Sequence, residues 1–388
     1  MRVAYLCADP GIPVLGSKGA SVHVQQIVRA FLRRGDTVTV YCTRRGDGDP
    51  EALGGARIIE HGIPRGDVAE RERAVAKAAA ALAARAADDG CDLVYERYSL
   101  FSDAAAQVGD RIGVPSVVEV NAPLIEEQRT HRSLVDGAEA EASTQRLFSR
   151  ASVVACVSGA VARWASSRGA PAPLIAPNGV DTRSFSSARF PDGPLRVVFL
   201  GSLKPWHGVG TAIDALAGLD GVEFTVLGDG PEREALEQRA AETGASVRWL
   251  GAVPHARVAE VLAGMHVGLA PYPAEADDYF SPLKVYEYLA AGLAIVASDC
   301  GQLPAILTHG RNGLLVPPGD PRELRRAVRM LRDDRDLART LGTAAREQAV
   351  ERHDWDRVLA GILGSLTAEG HTRSRSAPSR SARTENSR

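Results

Sequence analysis

The stretch Phe280-Ser-Pro-Leu-Lys-Val-Tyr-Glu-Tyr-Leu-Ala-Ala-Gly292, which runs on into Leu-Ala-Ile-Val-Ala-Ser-Asp299, decides the fold class. Ser281 is a residue type that caps helix N-termini, and Pro282 suits the first helical position. The glycine at the end of the motif is typical of a helix C-terminus. The apolar run 294–297 then predicts a buried parallel strand. This order of helix, glycine and buried strand indicates an α/β protein.

The first turn of this predicted helix has the features of a phosphate site. The backbone N–H groups of Leu283, Lys284 and Val285 are expected to lack intrahelical partners. A lysine in a first turn opposes the helix dipole, so the position of Lys284 favours a bound anion. Glu287 follows on the same face, where a carboxylate can accept hydrogen bonds from a ribose. An ordinary βα unit with a Lys284–Glu287 surface pair is the alternative interpretation.

Composition is that of an ordinary globular protein with room for two domains. The chain has 388 residues, 45% of them hydrophobic and 24% charged. A net charge of −2 gives no overall basic field, so we expect no nucleic-acid partner and at most peripheral membrane contact. The five cysteines are far apart and form no C-x-x-C pair, which argues against structural zinc or a redox motif.

Targeting signals are not evident. The chain starts with a strand-like segment instead of a signal peptide, and no apolar run is long enough to span a membrane. We therefore expect a reducing, cytoplasmic setting. The sequence does not indicate an oligomeric state.

Strand and helix patterns alternate along almost the whole chain and restart after a Ser-, Pro- and Gly-containing linker at 182–194. This predicts two doubly wound parallel sheets with ligands at the carboxyl ends of the strands. The predicted strands are 3–6, 37–41, 93–95, 116–120, 153–157, 196–200, 223–227, 246–250, 267–270 and 294–297. The predicted helices are 22–34, 69–87, 103–112, 124–149, 160–168, 208–217, 232–242, 255–263, 282–291, 322–332 and 337–351.

A glycine-bearing loop follows the first predicted strand. It contains Gly16, Lys18 and Gly19, and it matches neither a P-loop nor the dinucleotide-binding fingerprint. Because the loop lies at a strand's carboxyl end, we expect it to approach a ligand. His23, in the next helix, is expected either to face the same cleft or to be a surface or capping histidine.

Equivalent loops occur in the second half of the chain. Gly201-Ser-Leu-Lys-Pro-Trp-His-Gly208 joins a strand to a helix and carries Ser202, Lys204 and His207. Gly228-Asp-Gly-Pro231 follows the next strand. Both are placed to bind phosphates, although Lys204 is equally compatible with a surface lysine and the second loop with a simple turn.

One acidic motif resembles a metal site. Asp47-Gly-Asp49 has the D-x-D spacing of metal-dependent sugar transferases, but its Gly and Pro neighbours favour a plain turn. We therefore predict no metal ligands.

Four segments in order resemble the GT4 family of retaining glycosyltransferases, which have the GT-B fold, and Asn312-Gly-Leu-Leu-Val-Pro317 matches the strand and loop that come next in the family. The resemblance covers roughly residues 1–367. The four segments are Pro177-Asn-Gly-Val-Asp-Thr-x-x-Phe185, Gly201-Ser-Leu-Lys-Pro-Trp-His-Gly208, Leu227-Gly-Asp-Gly-Pro-Glu232 and Phe280-Ser-Pro-Leu-Lys-Val-Tyr-Glu-Tyr-Leu-Ala-Ala-Gly292.

The resemblance implies two Rossmann-like domains that face a cleft. We expect an acceptor-side domain at 1–185 and a nucleotide-sugar domain at 186–352. Within the first domain, Gly16 is expected to bind the donor, and Lys18, Gly19 and His23 are expected on the acceptor side. A helix at 353–369 is expected to cross back to the first domain. The Ser- and Arg-rich tail at 370–388 is predicted to be disordered from its composition.

The resemblance also implies roles for single residues on the donor side. Glu287 would bind the ribose hydroxyls, and Pro282 and Leu283 would lie at the diphosphate. Where many members of the family carry Gly-Arg and Lys-Gly, this chain has Gly201-Ser202 and His207-Gly208. The lost charge can be replaced by Lys204 and Lys284.

Two further differences from the family pattern concern the sugar. The first glutamate of the family's Glu-x7-Glu motif is Tyr279 here. The histidine that many members place near the sugar is replaced by the segment Glu119-Val-Asn121. We therefore expect Asn121 or Glu119 to contact the donor sugar, and we count both with Lys204 as candidate catalytic residues.

The implied reaction is retaining transfer of a sugar from a UDP- or GDP-linked donor, without a metal ion or other cofactor. The acceptor is left open among a glycan, a lipid carrier and a specialised small metabolite. A nucleotide-sugar epimerase with the same architecture is an alternative, and so is a nucleotide-sugar-binding protein with a decayed catalytic site.

Overall fold

The computed structural model describes residues 1–188, 190–274 and 282–375. Within these residues, parallel strands alternate with helices and form two separate sheets. Every strand pair within the two sheets is parallel, so the predicted α/β fold with two doubly wound sheets is confirmed.

Seven of the described strands form the first sheet, in the order β3-β2-β1-β4-β5-β6-β7. The strand order reverses between β1 and β4, so the carboxyl ends of these two strands mark a topological switch point. The strands are β1 (Arg2–Cys7), β2 (Thr37–Cys42), β3 (Arg57–Glu60), β4 (Leu93–Arg97), β5 (Ser116–Val120), β6 (Val153–Cys156) and β7 (Leu174–Ile175). The helices of this half are α1 (Gly19–Arg33), α2 (Val68–Asp89), α3 (Ala104–Ile112), α4 (Leu124–His131), α5 (Gly137–Arg150) and α6 (Gly159–Ser166).

Six of the described strands form the second sheet, in the order β10-β9-β8-β11-β12-β13. Its switch point lies between β8 and β11. The strands are β8 (Leu195–Leu200), β9 (Val222–Leu227), β10 (Val247–Gly251), β11 (Val267–Ala270), β12 (Ala294–Ser298) and β13 (Leu314–Val316). The helices are α7 (Val209–Leu216), α8 (Arg233–Thr243), α9 (His255–Leu262), α10 (Leu283–Ala291), α11 (Leu303–Ile306), α12 (Pro321–Asp333), α13 (Arg335–Gln348) and α14 (Trp355–Arg375).

Each sheet is buried on both faces. In β1, Val3 and Tyr5 join one hydrophobic cluster while Ala4 and Leu6 join another. Successive strand residues point to opposite faces, so these clusters are the two sides of one sheet. This arrangement explains why the strands read as continuous apolar runs instead of alternating patterns.

The predicted long helix at 124–149 is wrong. The structure has two helices, α4 and α5, separated at residues 132–136. Buried Glu72 of α2 accepts the backbone N–H groups of Val135 and Asp136 at 2.9 and 2.8 Å. Asp136 then caps α5 by accepting the N–H of Glu139. These hydrogen bonds satisfy backbone N–H groups of the non-helical segment and of the start of α5. The glutamate that accepts the first two is distant in sequence.

Two strands were predicted neither from the sequence pattern nor from the family resemblance, which supplied β13 at 312–317. Both β3 and β7 lie at the edges of the first sheet and are short. Such segments carry too few apolar residues for a strand pattern to stand out from a loop.

The last helix returns to the first sheet. Its residues Trp355, Leu359, Ile362 and Leu363 belong to the cluster that also contains Val3 and Tyr5. The helix ends at Arg375, beyond the predicted end at 369, so residues 370–375 of the predicted disordered tail are helical. Residues 376–388 of the predicted disordered tail lie outside the described residues.

The two connections between the sheets lie side by side. The N–H of Val180 donates to the carbonyl of His353 at 2.7 Å, and Asp354 accepts the N–H of Thr182 at 3.3 Å. This pairing joins the chain entering the second sheet to the chain leaving it, close to the cleft between the domains.

Candidate active site

The cleft-facing ends of the two domains meet at the starts of α1 and α10. A Cβ atom added to Gly19 would lie 3.0 Å from Cδ1 of Leu283. The glycine loop of the first domain therefore approaches the start of α10, beside the loop at Gly201.

Lys284 lies in the first turn of α10 with its side chain buried. The residue is 6% exposed, and its Nζ has no hydrogen-bond partner among the described residues. The ammonium lies 4.3 Å from the ring centroid of Phe199 and 4.9 Å from that of Tyr272. A Cβ atom added to Gly201 would lie 3.3 Å from this Nζ. Burial lowers the pKa of Lys284 to about 7, although nearby Glu287 acts in the opposite direction.

Glu287 lies one turn further along α10. Burial raises the pKa of its carboxyl group to about 7, and Lys284 partly opposes this shift. Perturbed acids and bases of this kind cluster at functional sites. Lys284 and Glu287 therefore form an electrostatically coupled pair in α10.

The start of α10 differs in detail from the sequence prediction. The helix begins at Leu283 with Pro282 in the cap position. The N–H of Val285 is not free as expected, because it donates to the carbonyl of Pro282 at 2.8 Å. Ser281 and Tyr279 lie outside the described residues.

The loops after β8 and β9 pack tightly against each other. A Cβ atom added to Gly228, whose φ is +147°, would lie 1.9 Å from the carbonyl oxygen of Gly201. The N–H of Leu203 donates to the carbonyl of Asp229 at 2.9 Å. A side chain at Gly228 would separate the loops, so this glycine is required by their close approach.

His207 fixes the shape of the loop that contains Ser202 and Lys204. Its Nδ1 donates to the carbonyl of Ser202 at 2.5 Å. Burial and the ammonium groups of Lys284 and Lys204 lower the pKa of His207 to about 4. The imidazole is therefore neutral at pH 7 and adds no positive charge to the site. The ammonium of Lys204 lies 4.7 Å above the ring of Trp206.

A buried polar cluster occupies the carboxyl edge of the first sheet. Glu119 of β5 contacts Nε2 of His23 and accepts the hydroxyl of Tyr95 at 2.9 Å and Nδ2 of Asn121 at 3.2 Å. Burial alone would raise the pKa of Glu119, but His23, Arg97 and Tyr95 together lower it to about 2.

The members of this cluster differ in whether their polar atoms are satisfied within the protein. His23 is buried and packs edge-on against Trp355 of α14 at 4.7 Å, so it is neither a surface nor a capping residue. Both carboxylate oxygens of Glu119 are engaged within the protein. Oδ1 of Asn121 is buried without a hydrogen-bond partner in the described part of the chain. Asn121 is therefore the residue of the pair with capacity for a ligand.

Sequence reasoning missed Arg97. The residue ends β4 beside Glu119 of β5, and its Nη1 is buried without a hydrogen-bond partner in the described ranges. The available signal was the pair of adjacent charged residues, Glu96 and Arg97, at the end of a buried strand. Arg97 and Asn121 together present a donor and an acceptor at the same edge of the sheet.

The predicted loop residues before α1 lie in different surroundings. A Cβ atom added to Gly16 would lie 2.7 Å from Oγ of Ser21, which gives this glycine a packing role within its own loop. Lys18 is exposed at the N-cap position of α1. Gly19 lacks a positive φ, so its small size matters through proximity to Leu283.

A cavity of about 770 Å³ opens beside this edge of the first domain. It lies between α2, α4 and the turn after β4, and Trp206 of the second domain contributes to its lining. Phe101 in this turn has a φ of +63°, which is uncommon for a residue other than glycine. Neither Phe101 nor Trp206 was singled out in the sequence.

The described ranges contain neither a cluster of metal ligands nor a helix suited to cross a membrane. No group of three or more His, Cys, Asp or Glu residues there could hold a metal ion. Asp49 accepts the N–H of Glu51 at 2.9 Å and starts a short 3₁₀ turn, as the turn interpretation of Asp47-Gly-Asp49 predicts. None of the helices in these ranges combines the length and apolar character needed to cross a membrane.

Family models match both halves of the chain. The model described as "Glycosyltransferase Family 4" matches residues 17–184. The model described as "Glycosyl transferases group 1" matches residues 194–334.

Curated relatives are similar over part of their length. Phosphatidyl-myo-inositol mannosyltransferase of Mycobacterium leprae is 36% identical over 197 residues, which are 48% of this chain and 51% of the relative. GDP-mannose-dependent alpha-(1-6)-phosphatidylinositol monomannoside mannosyltransferase of Mycobacterium tuberculosis is 29% identical over 234 residues, covering 54% and 60% of the two chains. The matched region thus spans about half the length of the first of these relatives.

Solved structures share the fold at low sequence identity. HepE of Anabaena in complex with UDP has a TM-score of 0.73 and 20% identity, covering 95% of this chain and 100% of that chain. Sucrose-phosphate synthase of Thermosynechococcus elongatus has a TM-score of 0.73 and 20% identity, covering 96% and 100%. These similarities support the two-domain GT-B architecture.

Proposed function

Since the chain belongs to the group 1 glycosyltransferases of family 4, we propose that it transfers a sugar from a nucleoside-diphosphate sugar to an acceptor hydroxyl. The transfer proceeds with retention and without a metal ion or other cofactor. The mannosyltransferase names of the relatives favour mannose as the sugar, with GDP as the first nucleotide to test.

The observation that carries this proposal is the buried ammonium of Lys284. A buried charge without a hydrogen-bonding partner is costly, and a diphosphate at the start of α10 would offset that cost. The free N–H groups and the dipole of a helix start add to the same attraction. Glu287, on the same helix, accepts hydrogen bonds from the ribose hydroxyls of the donor.

The chemistry follows from where charge develops. When the bond between the sugar's anomeric carbon and the diphosphate oxygen breaks, negative charge builds on the diphosphate, where Lys284 stabilises it. The acceptor oxygen attacks the same face of the sugar, and its proton passes to the departing phosphate oxygen. The products are the glycoside and the nucleoside diphosphate. Asn121 contacts the sugar, Glu119 positions His23 and Asn121, and domain closure excludes water.

The test begins with binding. Thermal unfolding is measured with GDP, UDP, GMP and UMP, and the diphosphates should stabilise the protein more than the monophosphates. A ligand at 100 times its dissociation constant adds about 2.7 kcal/mol. Equal melting temperatures with and without every nucleotide would rule out the proposed donor site.

Turnover then separates the proposed reaction from its alternatives. GDP-mannose and UDP-glucose are incubated with the protein and cell-extract acceptors, with and without a chelator, and products are identified by NMR. A new glycoside with the donor's anomeric configuration is expected under both conditions. An epimerised donor sugar would indicate an isomerase, and binding without turnover would indicate a decayed catalytic site.

A further inference from the structure

The first residue of α14 reaches the buried polar cluster of the first domain. Trp355 is 3% exposed, and its ring lies edge-on to the imidazole of His23 with 4.7 Å between the ring centroids. Nε2 of His23 contacts Oε1 of Glu119, and the same oxygen accepts Nδ2 of Asn121 at 3.2 Å. Three contacts in series therefore lead from α14 to Asn121, whose Oδ1 is buried without a hydrogen-bond partner among the residues that the structure describes.

The same indole packs against the other connection between the domains. A Cβ atom added to Gly179 would lie 2.7 Å from Cδ2 of Trp355, so a larger residue there would displace the indole. The N–H of Trp355 donates to the carbonyl of Val180 at 3.3 Å, and the N–H of Val180 donates to the carbonyl of His353 at 2.7 Å. Trp355 is thus fixed to the chain that enters the second sheet as well as to His23.

The chain just before Trp355 contacts the helix of the proposed donor site. Residues Ala349–His353 form a π-helical turn, a rare conformation that is frequent at functional sites. The imidazole of His353 packs edge-on against the ring of Tyr286 in α10, with 5.0 Å between the centroids. A displacement of α10 relative to the first sheet is therefore expected to move this turn and Trp355 with it.

Close packing allows such a displacement to reach the polar cluster. Residues at the connections between domains absorb the change in backbone angles when the domains move. Because protein interiors have few voids, the shift of a buried ring is passed to the groups that it touches. Hydrogen bonds weaken with small changes in distance and angle, so a shift of His23 changes how firmly Glu119 holds Asn121.

We propose that Trp355 is a positioning residue for Asn121, acting through His23 and Glu119. In the domain arrangement described above, the indole holds His23 against Glu119, and Glu119 holds the amide of Asn121 for the donor sugar. When the domains move apart, Trp355 shifts and the sugar loses this contact. The sugar is then held for transfer only while the cleft is assembled. This inference rests on the proposed glycosyl transfer, because it takes Asn121 as the residue that contacts the donor sugar.

The test separates the sugar from the nucleotide. Calorimetry gives the dissociation constants of GDP and GDP-mannose, or of UDP and UDP-glucose where the protein binds uridine nucleotides. Trp355→Leu keeps an apolar side chain but no ring, and the constant for the nucleotide sugar should rise about tenfold, as for the loss of one hydrogen bond to a buried group. The constant for the nucleoside diphosphate should stay the same, because Lys284 and Glu287 are unchanged. Trp355→Phe, which keeps a ring, should recover most of the loss.

Further variants assign the effect to this series of contacts. Gly179→Ala displaces the indole without altering the polar cluster, so it should show the same sugar-specific loss, and it carries the test if Trp355→Leu fails to fold. Asn121→Ala removes the sugar contact itself. Adding Trp355→Leu to Asn121→Ala should cause no further loss, because both changes act on one contact. Trp164→Phe, at a tryptophan that packs against Phe148 elsewhere in the first domain, is the matched control and should leave both constants unchanged.

Several outcomes would overturn the inference. Equal losses for nucleoside diphosphate and nucleotide sugar in Trp355→Leu would show only a general effect of the indole on the fold. Additive losses in the double variant would mean that Trp355 does not act through Asn121. If the parent binds nucleotide and transfers sugar, but neither Trp355→Leu nor Gly179→Ala weakens donor binding, the inference is wrong while the proposed function stands. If the parent neither binds nucleotide nor turns over donor, the proposed function itself fails, and this inference fails with it.

Discussion

The two sheet edges that face the cleft hold their buried charges in opposite ways. In the first domain, the Glu119 carboxylate is surrounded by protein partners, namely His23, Tyr95 and Asn121. In the second domain, the Lys284 ammonium meets aromatic faces and has no hydrogen-bond partner among the described residues.

The two buried charges therefore have different effects on the stability of the protein. A buried charge whose partners are all present stabilises one arrangement of the chain, and removing it leaves those partners unpaired. A buried charge without partners costs stability and is useful only when a ligand of opposite charge arrives. The first edge therefore satisfies its buried charge within the protein, and the second edge leaves the hydrogen-bonding capacity of Lys284 unused by the described residues.

Replacing Glu119 with glutamine should have the largest effect. The substitution removes the buried carboxylate that contacts His23 and Tyr95 and lies beside Arg97, so we expect a loss of about 3–5 kcal/mol in the free energy of unfolding at pH 7. Urea unfolding of the variant and the parent measures this, with Glu323→Gln on α12 as the surface control.

The same variant also tests the pH dependence. The pKa of Glu119 is lowered from 4.5 to about 2 in the folded protein, so its contribution is complete above pH 4.5 and is lost as the pH falls through 2. Glu119→Gln should lack this acid-dependent loss. A variant as stable as the parent would mean that the contacts of Glu119 do not stabilise the fold.

Replacing Lys284 with methionine should weaken nucleotide binding without lowering the stability of the unliganded protein. Affinity for GDP or UDP should fall by about 2–5 kcal/mol, because the diphosphate loses its buried cation. Stability of the unliganded protein should stay equal or rise, since a buried charge without a hydrogen-bond partner is removed. Calorimetry with the nucleotide and thermal unfolding without it measure the two effects.

Lys204→Met is the matched control for this prediction. The ammonium of Lys204 lies over Trp206 instead of Gly201, so its removal should cost less than about 1 kcal/mol in nucleotide affinity. A larger loss in Lys204→Met than in Lys284→Met would reverse the assignment of the two lysines.

Enlarging Gly19 to valine should separate the two edges. Its new side chain would press on Cδ1 of Leu283, and turning that side chain away from its preferred rotamer costs about 0.5–1.5 kcal/mol, which we expect to appear as a lower kcat/KM. The double variant Gly19→Val/Leu283→Ala should recover part of the loss, because it makes room at the same contact. If the double variant is no better than the single one, the contact does not control activity.

The smallest expected effect is a pH optimum for nucleotide binding. Binding a diphosphate favours protonated Lys284, whose pKa in the free protein is about 7, so affinity should fall as the pH rises above 7. Binding the ribose favours ionised Glu287, whose pKa is also about 7, so affinity should fall as the pH drops below 7. On either side of pH 7, nucleotide affinity should change by at most about tenfold per pH unit.

Calorimetry with GDP or UDP between about pH 5.5 and 9 spans both pKa values. The Lys284→Met variant should keep the decrease in affinity at low pH and lose the decrease in affinity at high pH. If the affinity of this variant still falls above pH 7, a titratable group other than Lys284 must cause that decrease.

Sequence alone determined the features that depend on short stretches of chain. The apolar runs and the helices between them predicted both sheets, because burial on two faces leaves a continuous hydrophobic pattern. Lys284 and Glu287 were found because the start of a helix has its own local chemistry, whatever the rest of the fold. The ordered set of motifs identified the family for the same reason.

Tertiary structure alone decided which distant residues meet. The chain breaks between α4 and α5 because a glutamate 63 residues earlier accepts the N–H of Val135. Both carboxylate oxygens of Glu119 are engaged because His23 and Tyr95 reach it from other elements. Trp206 joins a cavity formed mostly by the other domain. Such contacts follow from how the sheets and helices pack together, and the spacing of residues along the chain does not encode them.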